Sequence, residues 1–188
     1  LGRRQVELEG FELVQRQLDL ATSLSQAIAR HPLLRKYFSV LTAHDLIPEE
    51  LRGDGSPMPR RRGIADMGRA WQHDEFVVDP SRITVEISRT GVDGDTFKHD
   101  YLMDRYGIQV NKTSRNTVLF MTNIGSTRPG VAHLCEVPVK IVRHPDERLK
   151  DLSMVERRNH DKRVRTMMLE PPPLPEFTAF SPAFCVLP

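Results

Sequence analysis

From Gln5 to His31 the apolar residues Phe11, Val14, Leu18, Ala21, Leu24 (or Ser25) and Ile28 recur at three- and four-residue spacing, while Glu7, Glu12, Gln15, Arg16 and Asp19 fall mostly between them. That period predicts a long amphipathic helix with one buried stripe. It is expected to end at His31-Pro32, because a residue preceding proline is pushed out of the helical region. "LLRKYFSVL" follows as a short apolar segment. "HDLIPEELRGDGSPMPRRRG", dense in Gly, Pro and charge, reads as a loop that is mobile over about residues 48–66.

The period then changes to two. In residues 83–88, "ITVEIS", the residues Ile83, Val85 and Ile87 alternate with Thr84, Glu86 and Ser88, which predicts a strand with one buried face and one polar face. "GVDGDTFKHDYLMDRYG" predicts a short helix capped by Asp93 or Asp95. Phe97, Tyr101 and Leu102 form its inner face, and Gly107 stands where a left-handed residue closes a helix. Strands are expected at "IQVN" and "TVLFMTN". A further helix starts around Thr127-Arg128-Pro129 and turns Val131, Leu134, Cys135 and Ile141 inward. Pro138 lacks a backbone donor and is expected to kink or break that helix.

The order helix, strand, helix, strand, strand, helix gives an α+β fold: a two-layer α/β arrangement with a small, mostly antiparallel sheet and helices on one face. Residues 1–144 form this domain. Between Arg143 and Arg165 there are eight Lys/Arg against five Asp/Glu, a pattern that fits a solvated helix. The proline-rich "EPPPLPEFTAFSPAF" must run extended, because consecutive prolines fix φ and supply no donors. Residues 145–188 therefore read as an appendage. The opening on Leu1 and the apolar, aromatic close make the chain read as a piece of a longer protein.

Composition narrows the function. The 188 residues carry 39% hydrophobic and 28% charged side chains, within the ordinary range for a globular protein. A formal charge of +2 gives no bulk support for a nucleic-acid or membrane partner. No apolar run is long enough to span a bilayer, no secretory signal opens the chain, and two cysteines, Cys135 and Cys185, do not make a disulfide framework. The expected setting is cytoplasmic.

No self-sufficient active site stands out. Phosphate loops, dinucleotide fingerprints, HExxH, CxxC and GxSxG are all missing. Four of the seven histidines, His44, His73, His99 and His160, stand directly before Asp, and sequence neighbours do not face each other on a helix. No metal site is expected. His133 reads as a partly exposed helix residue and Cys135 as a small buried hydrophobe. Trp71, the only tryptophan, is expected to fill the gap between the sheet edge and a helix. Arg60-Arg61-Arg62 reads as a solvated charge run.

The stretch from residue 79 to 125 carries a resemblance. Its Asp79-Pro80, Thr90-Gly91, Gly107-Ile108, Lys112-Thr113, Asn116, Leu119-Phe120 and Gly125 resemble the segment that follows the active site in the bacterial Orn/Lys/Arg decarboxylases, pyridoxal-phosphate enzymes of fold type I. The family typically shows Asp-Pro before a strand, a Thr-Gly turn, a helix ending in G-I-x-V-x-K-T, and a strand N-x-(I/V)-L-F with Gly beyond. "QVELEGFELVQRQLDLATSL" is similar to the helix leading into that family's small domain, and "PPPLPEFTAFSPAF" to the opening of its C-terminal region.

The resemblance implies a lyase whose pyridoxal phosphate, held as an imine by lysine, withdraws electrons from Cα as carbon dioxide leaves. The family's His-x-x-Lys does not occur in this chain. The resemblance therefore implies a cleft-closing portion, inactive and free of cofactor by itself. Its partners would be the cofactor-binding large domain of its own polypeptide and a second copy in a homodimer or larger homo-oligomer. Asn111 stands where relatives often carry a glutamate suited to a distal cation, so it either weakens the hold on that cation or merely ends a strand. Arg89 stands where relatives tend to have a small or hydroxylated residue, and a substrate carboxylate is its candidate partner. Thr90 beside it completes the substrate-pocket candidates. Two alternatives stay open: a non-catalytic protein-binding module using the basic 143–165 stretch and the proline-rich tail, and the small domain of a pyridoxal-phosphate aminotransferase.

Overall fold

A computed structural model describes residues 2–52, 68 and 71–169, without the side chains of 2–8 and 144–150. Arg60-Arg61-Arg62, most of the loop expected at 48–66, the proline-rich tail and Cys185 lie outside the described residues.

The amphipathic N-terminal stretch is helix α1, Gly2–Arg30, ending one residue before His31 as the proline requires. Leu18, Ala21, Leu24 and Ile28 are buried as their spacing predicts, and Leu20 joins them. Phe11 departs from the expected stripe. It is 63% exposed. His31 starts the next element, its Nδ1 accepting from the amides of Leu33 (3.2 Å) and Leu34 (3.3 Å). Helix α2 spans Leu34–Tyr37, strand β1 Ser39–Val40 and helix α3 Ala43–Leu46.

The alternating segment is β2, Arg82–Glu86, and β3 and β4 cover Lys112–Thr113 and Thr117–Met121. All pairs are antiparallel in the order β1-β2-β4-β3, with Val85 opposite Val118 and Ile83 opposite Phe120. These four side chains face the helices and are buried, while Thr84, Glu86 and Met121 lie on the other, open face. The fold is α+β in two layers, with the helices on one sheet face. Burying each large apolar side chain between the layers contributes about 1.5–3 kcal/mol.

No strand forms at "IQVN". The amides of Gly107 and Ile108 turn back to the carbonyls of Met103 and Leu102, closing the preceding helix. Pairing starts only at the Asn111 amide, which donates to the Leu119 carbonyl at 3.1 Å. That preceding helix has three parts: α4 at Gly94–Thr96, a π-helix at Phe97–Met103, and α5 at Asp104–Tyr106. The wider π turn still leaves Phe97 and Leu102 buried. Phe97 meets Phe38 edge-on at 5.9 Å and stacks on Tyr101 at 6.0 Å, and Arg105 covers the other ring at 4.8 Å.

Helix α6, Arg128–Asp151, starts as expected: Thr127 accepts from the Gly130 amide, and Pro129 sits in the first turn, where a missing donor costs nothing. Pro138 does not break it. The lost donor leaves one carbonyl, that of Leu134, without its helical partner, while buried Val137 and Val142 on either side hold the helix to the core. Helix α7, Met154–Met168, follows after Leu152-Ser153 and has no buried residue. The solvated helix expected in the charged stretch is this one. Trp71 fills no gap in the sheet, being 64% exposed. The inner face beside the sheet is occupied by residues of α1, α2 and α6 instead. No helix among the described residues is long and apolar enough to cross a membrane.

Candidate functional site

Three separated stretches meet at one end of the sheet. The first is the turn after β2, a 3-10 turn over Ser88–Thr90 closed by Gly91 with φ +71°. Thr90 is fixed there: its Oγ1 donates to the Ile87 carbonyl at 2.7 Å and accepts from the Val92 amide at 3.1 Å. Ser88, fully buried, donates its hydroxyl to Glu86. The second is the start of α4, where Asp93 accepts from the Thr96 amide (3.0 Å) and hydroxyl (2.8 Å). These bonds stabilise the charged carboxylate and hold its pKa below the ordinary range, the amide having the larger effect.

The third stretch joins β3 to β4. The Ile87 amide donates to the Asn116 carbonyl at 2.8 Å, and the Gly94 amide to the Arg115 carbonyl at 3.1 Å. Thr113 Oγ1 donates to Asp95 at 2.5 Å. Thr90-Gly91, Thr113 and Asn116, distant in sequence, thus belong to one corner. Helix α7 lies across it, with Arg115 donating to the Thr166 carbonyl and Asn116 Nδ2 to the Met167 carbonyl at 3.5 Å.

Arg89 and Thr90 are neighbours in this corner, and Arg89 is exposed. Asn111 is exposed at the far side of β3, level with Phe120 and Ile83 by register. It therefore stands about four residues along the sheet, roughly 13 Å, from the turn that carries Thr90. Arg89 and Thr90 are adjacent in sequence, and Asn111 stands apart from them. Thr90 also lines a cavity of about 20 Å³ with Tyr37, Val92 and Tyr101, room for no more than one water.

The chemistry open to these groups is binding and positioning. Burial, and then the neighbouring Glu136 carboxylate, push the Cys135 thiol pKa up, which disfavours the thiolate a nucleophile needs. Among the described residues no group of three or more His, Cys, Asp or Glu is placed to hold a metal. An imine-forming lysine works from a shielded setting that lowers its pKa. Lys36, Lys112, Lys140 and Lys162 are exposed and Lys98 is half-exposed. Among the described residues no lysine has that setting.

The sequence reading missed Arg115 and His160, which join α7 to the corner, and Gly94, whose missing side chain lets Ser114 approach. Asp93-Gly94-Asp95 held a signal for the last, since glycine within a capping sequence marks a close backbone approach.

No protein-family model matches the chain, and no curated protein matches it in sequence. Among solved structures it is similar to the Francisella novicida lysine decarboxylase LdcF, with 20% identity and a TM-score of 0.48 over 74% of this chain. The chain spans 20% of the length of that decarboxylase.

Proposed function

We propose that this chain is the small domain, residues 1–144, and the start of the C-terminal region, residues 145–188, of a pyridoxal-phosphate-dependent amino-acid decarboxylase of the ornithine/lysine/arginine type. In this reading it closes the cleft over a substrate whose cofactor is held by the large domain of the same polypeptide. The observation that carries it is the corner itself. Thr90-Gly91, Thr113 and Asn116, singled out by their resemblance to that family, are joined through Ile87 to Asn116, Gly94 to Arg115 and Thr113 to Asp95. A corner fixed by backbone and hydroxyl bonds suits a wall that must keep its shape while other groups react.

Arg89 is the candidate for a substrate carboxylate and Asn111 for the distal end of the substrate, where an amide accepts a hydrogen bond but brings no countercharge. The parent enzyme in this reading is cytoplasmic and at least dimeric. The test is carbon dioxide release from lysine, ornithine and arginine, with pyridoxal phosphate supplied. The protein expressed from the whole reading frame should release it and the 188-residue chain alone should not. Release by the chain alone would overturn the division of labour. Amino-group transfer without carbon dioxide from the whole protein would favour the aminotransferase alternative.

A further inference from the structure

Helix α7 lies against the corner along one side. Its docked side is the line His160, Val164 and Met167, three half-buried residues at helical spacing. The His160 ring lies 3.2–3.3 Å from where a β-carbon on Gly91 would stand, and Val164 lies at 3.7 Å. Glycine at position 91 thus meets two demands, the left-handed backbone and the seat for His160.

The second fastening is at the C-terminal turn. The last carbonyls of a helix have no partners within it, and they form the negative end of its dipole. Here Arg115 donates to the Thr166 carbonyl and Asn116 to the Met167 carbonyl, so side chains from the β3–β4 turn cap a helix 51 positions away. Arg158, Lys162 and Arg165 point the other way and are exposed.

We propose that α7 is a detachable strap, closed in this structure, whose latch is the Arg115 cap and whose hinge is Leu152-Ser153. Three features support release as a unit. No residue of α7 is buried, so opening exposes little apolar surface. Leu152 is extended, so α7 has its own start, with Ser153 and Glu156 capping each other, and does not continue α6. A helix of 15 residues is marginal in water without packing, so undocking and melting are coupled. Opening uncovers the Gly91 side of the turn that carries Thr90.

Amide hydrogen exchange on the whole chain tests it. With Arg115→Ala, amides of α7 should exchange roughly tenfold faster while those of β2, β4 and the Ser114–Thr117 turn stay unchanged. Arg115→Lys, which keeps a cationic donor, should restore part of the protection. The unchanged strands would show that the variant folds. Equal loss of protection in α7 and β4 would make α7 part of the global unit and overturn the proposal. So would unaltered α7 exchange in Arg115→Ala, or an α7 that is unprotected in the parent chain.

Discussion

A β-carbon added to Gly94 would stand 2.0 Å from the carbonyl oxygen of Ser114. That oxygen is backbone, held in a turn whose Ser114 amide donates to Thr117, and the Gly94 amide is itself bonded to the Arg115 carbonyl. Neither side can yield by rotating a side chain. Gly94→Ala should therefore force the α4 start away from the β3–β4 turn and destabilise the fold by about 2–3 kcal/mol. The midpoint of urea unfolding measures it. A loss below about 0.5 kcal/mol, the size of an ordinary surface change, would show that the two segments are not locked together.

The Asp93 cap predicts how the fold responds to acid. Bonds from the Thr96 amide and then its hydroxyl hold the folded-state pKa below the unfolded value. The contribution to stability is therefore complete above about pH 4 and is lost as pH falls through the depressed folded value. Asparagine caps helices nearly as well but does not titrate. Asp93→Asn should cost only a few tenths of a kcal/mol at neutral pH and make stability fall less steeply below about pH 4. Asp45, lowered chiefly by the Thr42 hydroxyl and then by its amide, has the same sign, so some acid dependence should persist. Urea midpoints against pH decide, and an unchanged acid slope in Asp93→Asn would remove Asp93 from the account.

What could be read from the residues was what depends on near neighbours. The alternation of Ile83, Val85 and Ile87, the three- and four-residue spacing down α1, the Asp93 cap and the left-handed Gly107 are each fixed by a few adjacent positions. What escaped depends on distant pairing. Strand β1 is two residues long and exists because Val40 lies against Val85. Strand β3 begins where the Asn111 amide finds Leu119, not where the β-branched residues of "IQVN" sit. Local preference disfavours Pro138 within a helix, and packing of Val137 and Val142 outweighs it. At the corner, Thr90, Gly91 and Asn116 were legible as a motif. The contacts of Arg115 and His160 were not, since no local pattern announces a partner on a helix tens of residues away.

Cys135 should be a slow thiol. It is half-buried on α6, and both desolvation and Glu136 raise its pKa, so less thiolate is present at neutral pH than for an exposed cysteine. In a Cys185→Ser background, alkylation by iodoacetamide between about pH 7 and 10 should run more slowly than for glutathione, with its midpoint displaced upward. Glu136→Gln should lower that midpoint only in part, because burial is the larger cause. A rate at neutral pH equal to that of the free thiol would contradict the half-buried placement.

Asn111 carries the prediction that bears most directly on the proposed enzyme. Its backbone amide is committed to Leu119, which fixes the start of β3, while the residue itself is exposed. A substitution there should change the side chain's chemistry without disturbing the ladder. In the whole enzyme proposed above, Asn111→Glu should place a carboxylate near the distal cation of a diamino acid and lower KM by roughly tenfold, the scale of one charge-assisted hydrogen bond. Because that contact acts on the ground and transition states alike, kcat should change little. Asn111→Gln, longer but uncharged, should leave KM near its starting value. A KM unaffected by Asn111→Glu would mean that Asn111 only ends a strand and that the distal charge is met by other residues.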